Sequence, residues 1–220
     1  MAFESRKNSY NDHSQNKRKV FFMIFSKEFL EESAKIIQII NTDDIERMAE
    51  ILSDVRESNG RIFFVGSGGG AGHASHATCD FRKLCNFEDY SPYDNVSELT
   101  ARVNDEGWDV SIINWLKVSR FSSRDAVFVF SVGGGNEEKN ISTNLVKVVQ
   151  EAKRIGAKVV GIVGRDGGYT KKVGDAVVLI PTVNADRITP HTEGLQAVIW
   201  HLLVSHPGLQ ANPTKWESTK

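Results

Sequence analysis

Hydrophobic positions along the chain fall into two periods. Phe29-Leu30, Ala34, Ile36-Ile37 and Ile39-Ile40 recur at helical spacing and predict an amphipathic helix. Asn41-Thr42-Asp43-Asp44 breaks the stripe and supplies an N-cap for a second helix carrying Ile45, Met48, Ile51-Leu52 and Val55. Asn59-Gly60 ends that helix. Short continuous apolar runs follow at Arg61–Val65, Asp125–Ser131, Lys158–Val163 and Ala176–Ile180. Helical stretches are expected over about Ala71–Leu84, Glu137–Ile155 and Thr192–Ser205. Unbroken apolar strands separated by helices predict a parallel sheet covered on both faces. The expected fold class is α/β, a three-layer α/β/α sandwich with a helical hairpin at its front.

Residues 1–22 are polar and without period, and are expected to be a disordered extension; 23–207 form one domain, and 208–220 a flexible tail. Hydrophobic residues make up 40% of the 220 positions, enough for a substantial core. With 27 basic and 28 acidic residues the net charge is −1, so nothing in the balance calls for nucleic acid or an anionic membrane. No run approaches a membrane span. Two cysteines, Cys79 and Cys85, do not make a disulfide framework, and no secretory signal is evident, which together predict a cytoplasmic protein.

Three strands end in glycine-rich turns, beginning at Gly66, Gly133 and Gly164. Such turns bring backbone N–H groups and a helix N-terminus to an anion, or simply make a tight strand-to-helix connection. Neither of the first two is a P-loop. Gly66-Ser67-Gly68-Gly69-Gly70-Ala71 formally fits the dinucleotide fingerprint, but no strand delivers Glu88 as its acid. A phosphorylated small molecule suits these loops better than ATP or NAD. On the helix after the first loop, His76 and Asp80 lie four apart and share a face, as a zinc pair or a plain hydrogen bond. His73 is one turn earlier. Glu193 and His201 lie on the otherwise apolar last helix, eight residues or ~12 Å apart along its axis.

The ordered set Gly66, Gly68-Gly69, His76, Asn104-Asp105, Ser131, Asp186-Arg187-Ile188 and His201 resembles the SIS (sugar isomerase) domain, and within it the phosphoheptose isomerases, over roughly Ser26–Ser205. The resemblance implies homotetramers with active sites between subunits. It also implies conversion of sedoheptulose 7-phosphate to D-glycero-D-manno-heptose 7-phosphate through an enediol, commonly with zinc. Carried over by position, His76, Asp80, Glu193 and His201 are the implied metal ligands, with Asp80 as base and His201 as proton donor or shuttle. Substrate contacts fall on Ser67, Gly68, Gly69, Asp80, Asn104, Asp105, Ser131, Val132, Gly133, Asn136 and Glu193. The chain departs from the family pattern where Asp80 replaces Glu, Glu193 replaces Gln, and a serine-rich second loop has become Ser131-Val132-Gly133-Gly134-Gly135-Asn136. These departures keep open an isomerase of another sugar phosphate, or a non-catalytic SIS regulator that binds one.

Overall fold

The computed structural model describes residues 24–214. The expected disordered extension, and the end of the chain beyond residue 214, lie outside the described residues. The chain divides into two units at Ile39/Ile40. The first is seen as helix α1 over residues 24–39, where Ser33 Oγ donates to the Phe29 carbonyl at 2.9 Å. Its Phe25, Leu30, Ile37 and Ile39 are exposed, more apolar surface than a solvated helix needs.

The second unit begins with α2 (Thr42–Glu57), capped by Asn41, whose side chain accepts from Asp43 N at 3.1 Å. There follow β1 (Ile62–Gly66), α3 (Gly69–Cys85), β2 (Asp89–Tyr90), α4 (Val96–Glu106), α5 (Trp108–Val118) and β3 (Ala126–Ser131). The rest is α6 (Thr143–Ile155), β4 (Lys158–Val163), α7 (Gly168–Val173), β5 (Ala176–Leu179), a 3₁₀ turn (Ala185–Arg187) and α8 (Ile188–Ser205). The sheet is parallel throughout, in the order β2-β1-β3-β4-β5. Val65 pairs with Val129, Val129 with Gly161, and Gly161 with Val177.

Strand alternation divides the core between the two faces. Phe63, Val65, Val127 and Val129 pack with Ile112 and Leu116 of α5 and Leu145, Val148 and Val149 of α6. On the other face Phe64 meets Phe81 of α3 and Phe128 of β3, each at 5.1 Å between ring centroids. Both faces are therefore dry, which is why these strands read as unbroken apolar runs.

The expected strands are present, with ends shifted by a residue or so. The helix expected from Glu137 instead starts at Thr143. Asn136 and Ile141 close a turn by exchanging backbone hydrogen bonds, and Asn140 and Ser142 take positive φ values of 53° and 51°, which no helix accommodates. The last helix starts at Ile188, four residues earlier than expected, with Pro190 in its first turn where an N–H has no helical partner anyway.

Residues 208–212, expected to begin a flexible tail, are held against the domain. Arg56 donates to the carbonyls of Leu209 at 2.6 Å, Gly208 at 3.0 Å and Cys85 at 3.0 Å, and Leu209 is fully buried. The backbone N–H groups of Ala211 and Asn212 both donate to Leu84 O. Arg56→Ala is expected to cost about 1–3 kcal/mol, the scale of hydrogen bonds from a charged donor. Thermal denaturation measures the loss, and limited proteolysis should show earlier cleavage after α8. No described helix is long and apolar enough to cross a membrane.

Candidate active site at the carboxyl ends of the strands

The first glycine turn brings α3 down onto the ends of β1 and β3. A Cβ on Gly66 would stand 2.3 Å from Gly70 O, and one on Gly70 would stand 2.5 Å from Phe130 O, so both positions exclude a side chain. From this seat α3 projects His73, His76 and Asp80 on one face. Helix α8 packs beside α3 and adds His201.

Three of the four expected ligands come together. His76 Nε2 lies 3.7 Å and His201 Nε2 3.8 Å from the same oxygen, Asp80 Oδ2. Ligand atoms of all three residues lie within 4.8 Å of one another. Around a zinc ion with bonds of about 2.0–2.2 Å, tetrahedral neighbours stand roughly 3.3–3.5 Å apart, so small side-chain movements close this set on an ion. Two imidazoles and one carboxylate, with both imidazoles exposed, fit zinc with a position left open to substrate.

The imidazoles are held from beneath. Trp200, fully buried, stacks on His201 at 3.5 Å and meets His76 edge-on at 4.7 Å between ring centroids. His201 Nδ1 is 2.7 Å from the Ala197 carbonyl, which can only accept. Nδ1 therefore carries the proton, and in the neutral ring Nε2 presents its lone pair toward Asp80.

Glu193 stands apart from the three. A Cβ built on Gly69 would lie 2.7 Å from its carboxyl carbon and both oxygens, which places this carboxylate at the first turn of α3. Two turns of α8 lie between Glu193 and His201. His73 is half-buried beside Phe130, at 5.8 Å between centroids. Burial pulls its pKa down, opposed by a hydrogen bond to the Glu193 carbonyl and by the Glu193 carboxylate.

The loop residues divide in role. Ser67 Oγ accepts from Asn144 Nδ2 at 3.3 Å, and Gly68 and Gly69 open α3. In the second loop Ser131 Oγ accepts from Gly134 N at 3.0 Å and Val132 O accepts from Gly164 N at 3.0 Å. Asn136 Oδ1 accepts from Lys139 N at 2.8 Å, so this side chain shapes its own turn. Gly133 is open, its nearest outside neighbour being Arg165 Cδ at 4.0 Å from a built Cβ. Asn104 and Asp105 sit on the exposed last turn of α4 and bond to each other at 2.7 Å.

Residues 28–164 match the model of the SIS domain family. The chain belongs to the SIS domain family. Among curated proteins it is 30% identical over 191 residues to the lincomycin biosynthesis protein LmbN of Streptomyces lincolnensis, covering 82% of this chain and 68% of that one. It is 26% identical over 182 residues to a phosphoheptose isomerase of Helicobacter pylori (strain P12), covering 80% and 87%. Among solved structures, phosphoheptose isomerase GmhA of Neisseria gonorrhoeae superposes with a TM-score of 0.72 at 21% identity, covering 84% of this chain and 98% of that one.

Within this SIS domain, three residues escaped the sequence reading of the site. Trp200 reads from the sequence as a core or subunit-contact aromatic, yet it is the floor under both imidazoles. Arg165 lies in the third glycine turn and reaches the second loop only because β3 and β4 are neighbours. Asn144 is fully buried in the first turn of α6, aimed at Ser67. A polar residue among the apolar positions of α6 was the one signal the sequence held for it.

Proposed function

We propose that the protein is an aldose–ketose isomerase of a sugar phosphate, with sedoheptulose 7-phosphate as substrate and D-glycero-D-manno-heptose 7-phosphate as product. The observation that carries this reading is the convergence of Asp80 with two imidazoles beside two glycine loops. The likeness to phosphoheptose isomerases supports the choice of substrate.

The phosphate belongs at the second loop. The Glu193 carboxylate makes the first loop negative at Gly69, whereas Arg165 stands against open Gly133 and is exposed. A guanidinium there replaces hydroxyl donors with a charged, planar one. Arg165→Ala is expected to raise KM for the sugar phosphate by about tenfold with kcat little changed, the signature of lost uniform binding. Steady-state kinetics reads this directly, and an unchanged KM removes Arg165 from the site.

In this reading, the sugar held by its phosphate presents C1 and C2 to the Asp80 group. Asp80 Oδ2 faces the imidazoles and leaves Oδ1 to take the proton from C1 of the ketose, giving the enediol, to exchange it with solvent, and to deliver a proton at C2. His201 Nε2, its lone pair fixed by the Nδ1 bond to Ala197, moves the hydroxyl proton from O1 to O2. Zinc, held by His76, Asp80 and His201, would supply polarisation of the substrate carbonyl in place of that shuttle. Trp200 keeps both rings in place.

The test is incubation of the protein with sedoheptulose 7-phosphate in D₂O, with and without added zinc, followed by NMR. The aldose C1 proton signal and deuterium at C2 are expected. Neither signal under either condition overturns the reading. A non-catalytic binding protein would instead bind the sugar phosphate and exchange no proton.

A further inference from the structure

On the opposite side of α3 from His76 and Asp80, Thr78 and Arg82 face a cleft of about 490 Å³. The edge strand β2 with the segment after it, the start of α4 and Trp115 of α5 form the rest of its wall. At its base lies Asp89, with no exposed surface, and neither carboxylate oxygen accepts a hydrogen bond among the described residues. Arg82 is the nearest cation, but its Nη1 stands 3.9 Å from Oδ1 and donates to the Asp89 main-chain carbonyl at 2.7 Å instead. A buried acceptor pair left in this state is costly, and here burial pushes the Asp89 pKa up to about 8.

What the cleft would accept follows from its wall. Asp94 and Glu98 join Asp89 in lining it against the single cation Arg82, and Glu98 is taken by Arg102 at 2.8 Å. An anion would find only Arg82 to receive it here, beside Asp94 and the buried Asp89 carboxyl, which separates this cleft from the phosphate seat proposed at the second loop. A neutral polyol would donate hydrogen bonds but bring no charge to hold the buried carboxyl in its ionised form. A protonated amine supplies both the donors and the charge. The aromatic wall is suited to a cation as well: Tyr90 carries the Arg82 guanidinium at 5.4 Å over its ring, and Trp115 lies alongside. Arg82, half exposed at 49%, is the movable group beside the carboxylate.

We propose that this cleft is a second ligand site, which takes a small molecule carrying a primary ammonium group against Asp89 once Arg82 swings aside. The site does not depend on the isomerase reading, since none of its groups belongs to the Asp80 cluster.

Putrescine is the probe, with 1,4-butanediol as its uncharged counterpart, titrated into the full chain by calorimetry. Saturable putrescine binding is expected, weakened about tenfold or more in Asp89→Asn and for butanediol, and unchanged in His76→Ala. In the wild-type protein, NMR should show putrescine shifting the Asp89 carboxyl carbon and the Trp115 indole N–H, a readout independent of how the variants fold. Absence of saturable binding at millimolar putrescine overturns the proposal. Equal binding by butanediol, equal binding by Asp89→Asn, or no shift at Asp89 and Trp115 overturns it as well.

Discussion

On the proposed function, Asp80→Asn is expected to lower turnover of sedoheptulose 7-phosphate by about 10²–10⁴-fold while the fold persists, the range for removing a positioned general base. The substitution is isosteric, and Asp80 keeps a fifth of its side-chain surface in solvent, so no buried network collapses with it. What disappears is the one carboxylate oxygen faced by both imidazoles, at 3.7 and 3.8 Å. His201→Ala should cut turnover on a similar scale, and zinc analysis then separates its two uses. A variant that loses zinc and turnover together has lost a ligand; one that keeps zinc and loses turnover has lost a shuttle. Circular dichroism confirms the fold in each case. Full activity in both variants would remove the Asp80 group from the chemistry.

The legible parts of this fold are those where burial is symmetrical. β3 and β4 read as continuous apolar runs because helices cover both sides of the sheet, and glycines follow them because the turns after the two strands press backbone to backbone at Gly134 and Gly168. β2 escaped because it is two residues long and one of them is the buried acid Asp89. α4 escaped because none of its residues is fully buried, so its apolar stripe is faint. It is held instead by the Asn95 side chain, which accepts from Glu98 N at 3.2 Å. At the candidate site, spacing alone pairs His76 with Asp80, since i and i+4 share a helix face. His201 joins them through packing of α8 on α3, a long-range contact no local pattern encodes, and the family resemblance supplied it. The same resemblance implies Glu193 among the metal ligands; here its carboxylate lies over Gly69.

Trp200→Ala is expected to destabilise the protein by about 3–5 kcal/mol, the usual cost of emptying a large aromatic site in a core. For a chain of this size that is a fall in Tm of roughly 10 °C. The indole is 1% exposed, and its Nε1 has no hydrogen-bond partner among the described residues, so the loss is one of packing rather than of a polar bond. The second consequence lies at the site. His201 rests on the indole face and His76 on its edge, and without that floor both imidazoles gain rotamer freedom that any bound ion must then remove. Zinc affinity should fall about 10–100-fold, the range for disturbing the groups that orient metal ligands. Trp200→Phe keeps an apolar aromatic floor and should lose less on both counts. Leu202→Ala, at an exposed neighbouring position of α8, should leave zinc affinity unchanged. Thermal denaturation paired with zinc titration reads both effects, and a Trp200→Ala protein that retains its Tm and its zinc affinity would show that the imidazoles are positioned by something other than this ring.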